Sequence, residues 1–236
     1  MITHLERYVL KVDGRFYYPV GFHYNRPIYF INGHFVYPVS GGTAMFAPFM
    51  RRFRFYNTGT ETGATPIAAE DININPNVDS DFQGQYRVLI EETGGSDGSV
   101  NDDWRLTYDK NGAGSNILTT TDNGDGIRAI LAGLTEDGAT TDRATGISNP
   151  GAGSFIAGLQ IGDGFGENLL LTGSNFTEFV FGFDIISSNV VNNDFFDFEL
   201  DRPNSLVSDI IGRLTVVKAA GAPTEIQLLM AQYQPG

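Results

Sequence analysis

The residues able to do chemistry are unevenly placed along this chain. Its three histidines, His4, His23 and His34, all fall near the start, and there is no cysteine. Catalysis of the Ser-His-Asp or Cys-His kind needs a base within hydrogen-bond reach of the nucleophile. The stretch after His34 offers no imidazole for that role. Disulfides and thiolate metal sites are out of reach without cysteine. The histidine spacing matches neither a helical pair nor a zinc finger, so these side chains read as strand or turn residues at a protein contact. Asp122-Asn-Gly-Asp-Gly opens like a calcium loop but lacks glycine at the sixth position and glutamate at the twelfth, and so reads as a polar turn. Gly162-Asp-Gly-Phe-Gly-Glu contains Gly-x-Gly without the helix that a dinucleotide fingerprint requires. With 28 Asp and Glu, a glycosidase-like carboxylate pair is available, but its spacing is invisible in one dimension. Trp104 shares an alternating face with Leu106 and Tyr108, which assigns it to a core rather than to sugar stacking. The expectation is a protein that is not an enzyme and holds no cofactor or metal.

The elements that would carry these residues follow from composition. Of 236 residues, 41% are hydrophobic and 12% aromatic, enough for a packed core in one large β domain with an accessory segment. The 29 glycines cluster between apolar runs, as tight turns do. The opening Met1-Ile-Thr-His-Leu-Glu-Arg lacks the apolar stretch of a secretory signal, and no segment is apolar for the roughly 18 residues of a membrane span. The expectation is therefore a chain made in a cytoplasm, without a membrane partner. The formal charge of −13 is asymmetric: residues 1–56 hold seven basic and two acidic residues, whereas residues 57–236 hold eight basic and 26 acidic ones. An acidic body repels nucleic acid, and a basic front end suits an acidic protein surface.

That front end is an internal repeat. Val12-Asp-Gly-Arg-Phe-Tyr-Tyr-Pro-Val aligns with Ile31-Asn-Gly-His-Phe-Val-Tyr-Pro-Val at an offset of 19. Asp13-Gly14 and Asn32-Gly33 sit between β-prone runs, and both central residues of a type I′ turn need positive φ, so two consecutive hairpins are predicted. Phe16, Tyr17, Tyr18, Phe22, Tyr24, Tyr29, Phe30, Phe35 and Tyr37 crowd this small unit, and exposed apolar surface of that density marks an interaction site. Phe16, Tyr18, Phe35 and Tyr37 are the expected anchors, with Arg51, Arg52 and Arg54 supplying electrostatic docking. The division expected is an arm and connector over 1–50, a β-sandwich over 51–218 and a tail over 219–236.

In the body, apolar–polar alternation recurs at Arg52–Tyr56, Gln85–Glu91 and Trp104–Tyr108. Further strands are predicted over Gly126–Leu131, Gly153–Gln160, Asn168–Leu171, Glu178–Ile186, Asp194–Leu200 and Arg213–Lys218. Gly/Asn/Asp turns separate them, and only Ile127–Leu134 has any helical character. The fold class predicted is all-β: an antiparallel β-sandwich or jelly-roll-like domain, with one face of each sheet in water, preceded by the two-hairpin arm.

The body also resembles a β-sandwich module found among the structural proteins of tailed bacteriophages. The resemblance is carried in order by Phe53-Arg-Phe-Tyr-Asn-Thr-Gly-Thr-Glu-Thr-Gly-Ala-Thr, Tyr86-Arg-Val-Leu-Ile and Trp104-Arg-Leu-Thr-Tyr-Asp-Lys-Asn-Gly. It continues with Leu134-Thr-Glu-Asp-Gly-Ala-Thr-Thr-Asp-Arg-Ala-Thr, Thr177-Glu-Phe-Val-Phe-Gly-Phe-Asp-Ile and Asp197-Phe-Glu-Leu, spanning roughly residues 52–218. It implies a virion protein assembled in the host cytoplasm, with capsid, portal or connector, or tail subunits as partners, and brings no catalytic residues. It also implies a homo-oligomer, with a trimer the expectation for a projecting element. A carbohydrate-binding host-adhesion module is the alternative, with host glycan as its partner; a particle-borne glycan hydrolase is a third.

Overall fold

Short β-prone runs between turn residues become short strands. The computed structural model describes residues 10–12, 15–17, 21–23, 26–31, 34–36, 46–98, 104–142, 146–166, 169–202, 205–206 and 211–219. Contacts divide the chain into two compact units, Met1–Ala44 and Met45–Gly236.

In the first unit, β1 (Leu10–Val12) and β2 (Arg15–Tyr17) form an antiparallel hairpin with Val12 opposite Arg15. β3 (Gly21–His23), β4 (Arg26–Ile31) and β5 (His34–Val36) form a three-stranded meander, with His23 opposite Arg26 and Ile31 opposite His34. The second predicted hairpin therefore carries an extra strand, β3, on its leading edge.

The second unit is a sandwich of two sheets. In the first sheet, β6 (Pro48–Asn57), β7 (Phe82–Glu92) and β14 (Phe176–Ile185) are the long antiparallel strands. β14 pairs along its other side with three short pieces in succession: β11 (Phe155–Ile156) and β12 (Gln160–Ile161), both parallel, and β10 (Ile127–Ala129), antiparallel. In the second sheet, β8 (Trp104–Lys110) pairs with β15 (Phe195–Arg202), and β9 (Ser115–Ile117) and β13 (Phe165–Gly166) line β8. β16 (Ser205–Leu206) and β17 (Gly212–Thr215) pair with β15.

Alternation sets the interior. Phe53 and Phe55 of β6, Tyr86 and Val88 of β7 and Phe179, Phe181 and Phe183 of β14 face Trp104, Leu106, Tyr108, Phe196 and Phe198 of the second sheet. Rings interlock across the gap: Tyr86 stacks on Phe198 at 5.2 Å, Phe55 meets it edge-on at 5.9 Å, and Trp104 lies 5.2 Å from Phe179. Such pairs add to what burial of their area contributes. Trp104 is a core residue.

One face of the first sheet was expected to meet water, and along β14 it does not. All ten residues of β14 are buried. Polypeptide from the loops around Gly59–Ala64, 130–142 and 146–147 lies over the outer face, with Gly59 N donating to Ala132 O at 3.0 Å and Gln85 Nε2 donating to Ala132 O at 3.1 Å. Gly182 permits the crossing, because a Cβ there would overlap the Ile130 carbonyl oxygen. A small second core of Leu89, Phe176 and Ile147 sits under this cover. β14 is buried on both sides although the sheet is antiparallel, while Arg52 and Arg54 on the edge strand β6 keep partial exposure.

Three local expectations change. Leu169–Leu171 forms no ladder; Leu169 and Leu171 are buried and Leu170 half-buried without strand pairing, and Asn168 lies outside the described residues. The region 127–134 is strand then turn, since Ala132 (φ 51°) and Gly133 (φ 91°) take left-handed backbone that ends any helix. Strand β6 begins at Pro48, inside the segment read as connector. Among the described residues no helix is long and apolar enough to cross a membrane.

Candidate functional site

Core periodicity creates the site on β6. Met50 and Phe53 both enter the interior, yet they are three positions apart, which a regular strand with a period of two does not allow. A β-bulge resolves the conflict: Met50 opposes Ile90, Arg52 opposes Leu89, and Arg51 is the extra residue between them. Two consecutive arginines thereby stay out of the interior, each with 42% of its side chain exposed.

Each is held by acids of the same chain. Arg51 Nε donates to Glu91 Oε2, and its guanidinium lies 4.7 Å above the Phe49 ring. Arg52 Nη1 donates to Glu70 Oε2 at 3.0 Å and lies 3.7 Å from Asp71 Oδ2. Asp71 clamps the outer edge of β6, with its amide donating to Phe53 O (2.9 Å) and its Oδ1 accepting from Phe53 N (3.0 Å). Glu70 Oε1 accepts from Ser148 N at 2.9 Å and from Ser148 Oγ at 2.8 Å, which fixes the loop carrying Pro150. Arg51, Arg52, Asp71, Glu91 and Pro150 line an open groove of about 460 Å³. That volume lies within the range of small-molecule sites.

Arg54 is bound to backbone rather than to acids. Its Nε donates to Ala68 O at 2.8 Å and its Nη1 to Gly146 O at 3.1 Å, so it straps two loops to the sheet. All three arginines lie in the second unit, Met45–Gly236; the first 44 residues hold four basic and two acidic residues. The positive excess near the start of the sequence is therefore divided between the units. Of the expected anchors, Phe16 stands opposite Lys11 and Phe35 opposite Phe30 in their strands, while Tyr18 and Tyr37 lie outside the described residues.

A second polar cluster is buried under the loop cover. Arg87 on β7 donates from Nε to Glu178 Oε2, from Nη1 to Glu61 Oε1 at 2.7 Å and from Nη2 to Thr141 O at 2.8 Å. Thr141 returns to Glu61 through its amide (3.2 Å) and hydroxyl (2.9 Å). Glu178 Oε1 is buried without a hydrogen-bond partner. Desolvation pushes the Glu178 carboxyl up to about 7; Arg87 pulls it down, and Asp142 and Glu61 add to the rise. One guanidinium facing two carboxylates leaves the cluster one charge short of neutral, which favours a proton on Glu178. Arg87, Glu61 and Glu178 are each nearly inaccessible to solvent. The arrangement is a latch that ties 61 and 141 to the sheet, and sequence spacing gave no sign of it.

The remaining motifs are structural in the described residues. Asp122 Oδ1 accepts from Gly124 N at 3.0 Å and Gly126 N at 2.8 Å, closing a turn on itself. Gly162–Gly164 crosses from β12 to β13, strand to strand, with Asp163 Oδ1 accepting from Phe165 N at 2.9 Å. No group of three or more His, Cys, Asp or Glu able to hold a metal occurs among the described residues. Fold and groove together define an all-β, two-sheet sandwich with a mixed-charge surface site. No family model, curated protein or solved structure matches the chain.

Proposed function

We propose that the chain is a non-catalytic structural protein of a tailed-bacteriophage particle, held to a neighbouring subunit by its first 44 residues and projecting its acidic sandwich. The observation that carries this reading is the division of the chain at Ala44/Met45. The smaller unit has ten aromatic residues in 44, and its described strands are three to six residues long. Hairpins that short bury little by themselves, so rings at this density call for a partner surface. The larger unit carries its own core and a net charge of −15, which suits a soluble projecting body and opposes nucleic-acid binding. The order of motifs that resembles phage sandwich modules supports the virion context.

The test is deletion. A chain lacking residues 1–44, produced alongside a full set of particle proteins, is expected to fold and to be missing from purified particles. Incorporation at the full-length level would overturn the anchoring role.

A further inference from the structure

We infer that the groove at the β6 bulge is a binding site for an uncharged polyhydroxyl ligand, one or two neutral sugar rings of a glycan. The inference goes beyond the structural role and depends on the sandwich alone, not on the arm.

The two guanidiniums of Arg51 and Arg52 face the carboxylates of Asp71 and Glu91, and Glu70 behind them accepts from Arg52, so the groove has no positive excess. An anion would meet three carboxylates and would have to displace Glu91 or Glu70 from its arginine; a cation would lie against two guanidiniums. A hydroxyl both donates and accepts, so it can join such pairs without breaking them. Arg51 gives its Nε hydrogen to Glu91 and Arg52 an Nη1 hydrogen to Glu70. A guanidinium has five N–H donors in a planar fork. The donors left over suit two adjacent hydroxyls, with Asp71 Oδ2 and Glu91 beside them as acceptors.

The groove is also rigid before any ligand arrives. The bulge fixes the arginine pair on one side, Phe49 supports the Arg51 guanidinium, Asp71 is bonded twice to Phe53, and Glu70 ties down the loop that ends in Pro150. Preorganisation of this kind reduces the ordering cost of binding. Bulges recur beside functional sites because they re-aim side chains, and here the bulge makes two like charges neighbours. A few hydrogen bonds in an open groove correspond to a Kd on the order of 1 mM.

The test is saturation-transfer NMR on the full chain with maltotriose, cellotriose, mannotriose, galactotriose and chitotriose, with inorganic phosphate as the anionic arm followed by its 31P line broadening and by its competition with the sugar signal. At least one neutral trisaccharide is expected to bind, and phosphate is not. Arg51→Ala should weaken binding at least tenfold. Arg51→Lys keeps the charge but loses the fork, and should weaken it similarly in a chain of unchanged thermal stability. Arg213→Ala, on the other sheet, should leave binding intact. Silence from all five sugars at about 10 mM, binding that survives both Arg51 variants, or phosphate binding in preference to sugar would each overturn the site. None of these outcomes bears on whether the arm anchors the chain.

Discussion

Replacing Glu178 by Gln should make the protein less sensitive to alkaline pH. The folded-state carboxyl is raised to about 7 from an ordinary 4.5, chiefly because burial strips its water while Arg87 is shared with Glu61. A raised folded value means the folded state binds the proton more tightly than the unfolded chain does. The resulting stabilisation is complete below pH 4.5 and is lost as pH rises through 7. A difference of that size, at 1.36 kcal/mol per pH unit, amounts to about 3 kcal/mol between pH 4 and pH 8. Glutamine has the shape of the protonated acid and leaves Arg87 paired one-to-one with Glu61. The general self-repulsion of an acidic chain is common to both proteins, so the difference between them isolates Glu178. Urea unfolding of both at pH 5 and pH 8 should give similar stabilities at the lower pH. At the higher pH the Glu178→Gln protein should be more stable by about 2–3 kcal/mol. Identical pH slopes for the two proteins would refute the reasoning, because no proton would then be held at that position.

Two further perturbations probe the same cover. Arg87→Met leaves Glu61 and Glu178 buried without a counterion, and should cost about 3–5 kcal/mol in denaturant unfolding at pH 8, with a smaller loss at pH 5 where Glu178 is protonated. Gly182→Ala pushes a methyl group into the Ile130 carbonyl, and should lower stability by about 1–3 kcal/mol or more, with earlier proteolytic cleavage between 130 and 142 as the loop lifts. An unchanged digestion pattern would show that the loop approaches the sheet less closely than the geometry requires.

Much of the architecture was legible because a half-buried strand writes its period into its residues. Trp104, Leu106 and Tyr108 are buried as alternation requires, and β7 and β15 fall where aromatic and β-branched residues recur between turns. The runs on either side of Asp13-Gly14 and of Asn32-Gly33 pair antiparallel, as expected of hairpins, while the turn residues themselves lie outside the described residues. Cysteine content, charge asymmetry and the place of the histidines could also be read directly, since they need no geometry.

Tertiary packing decided the rest. The string Arg51-Arg52 reads as a basic docking patch, but only the bulge, set by Met50 and Phe53 both seeking the interior, puts the pair beside Glu91 and Asp71. Glu61, Arg87 and Glu178 are far apart in sequence and each looks like a surface residue; the loop cover that buries them makes them one cluster. The burial of both faces of β14 is hidden for the same reason. A sequence records the period of a strand but not what will lie over its far side, because that depends on contacts between residues dozens of positions apart.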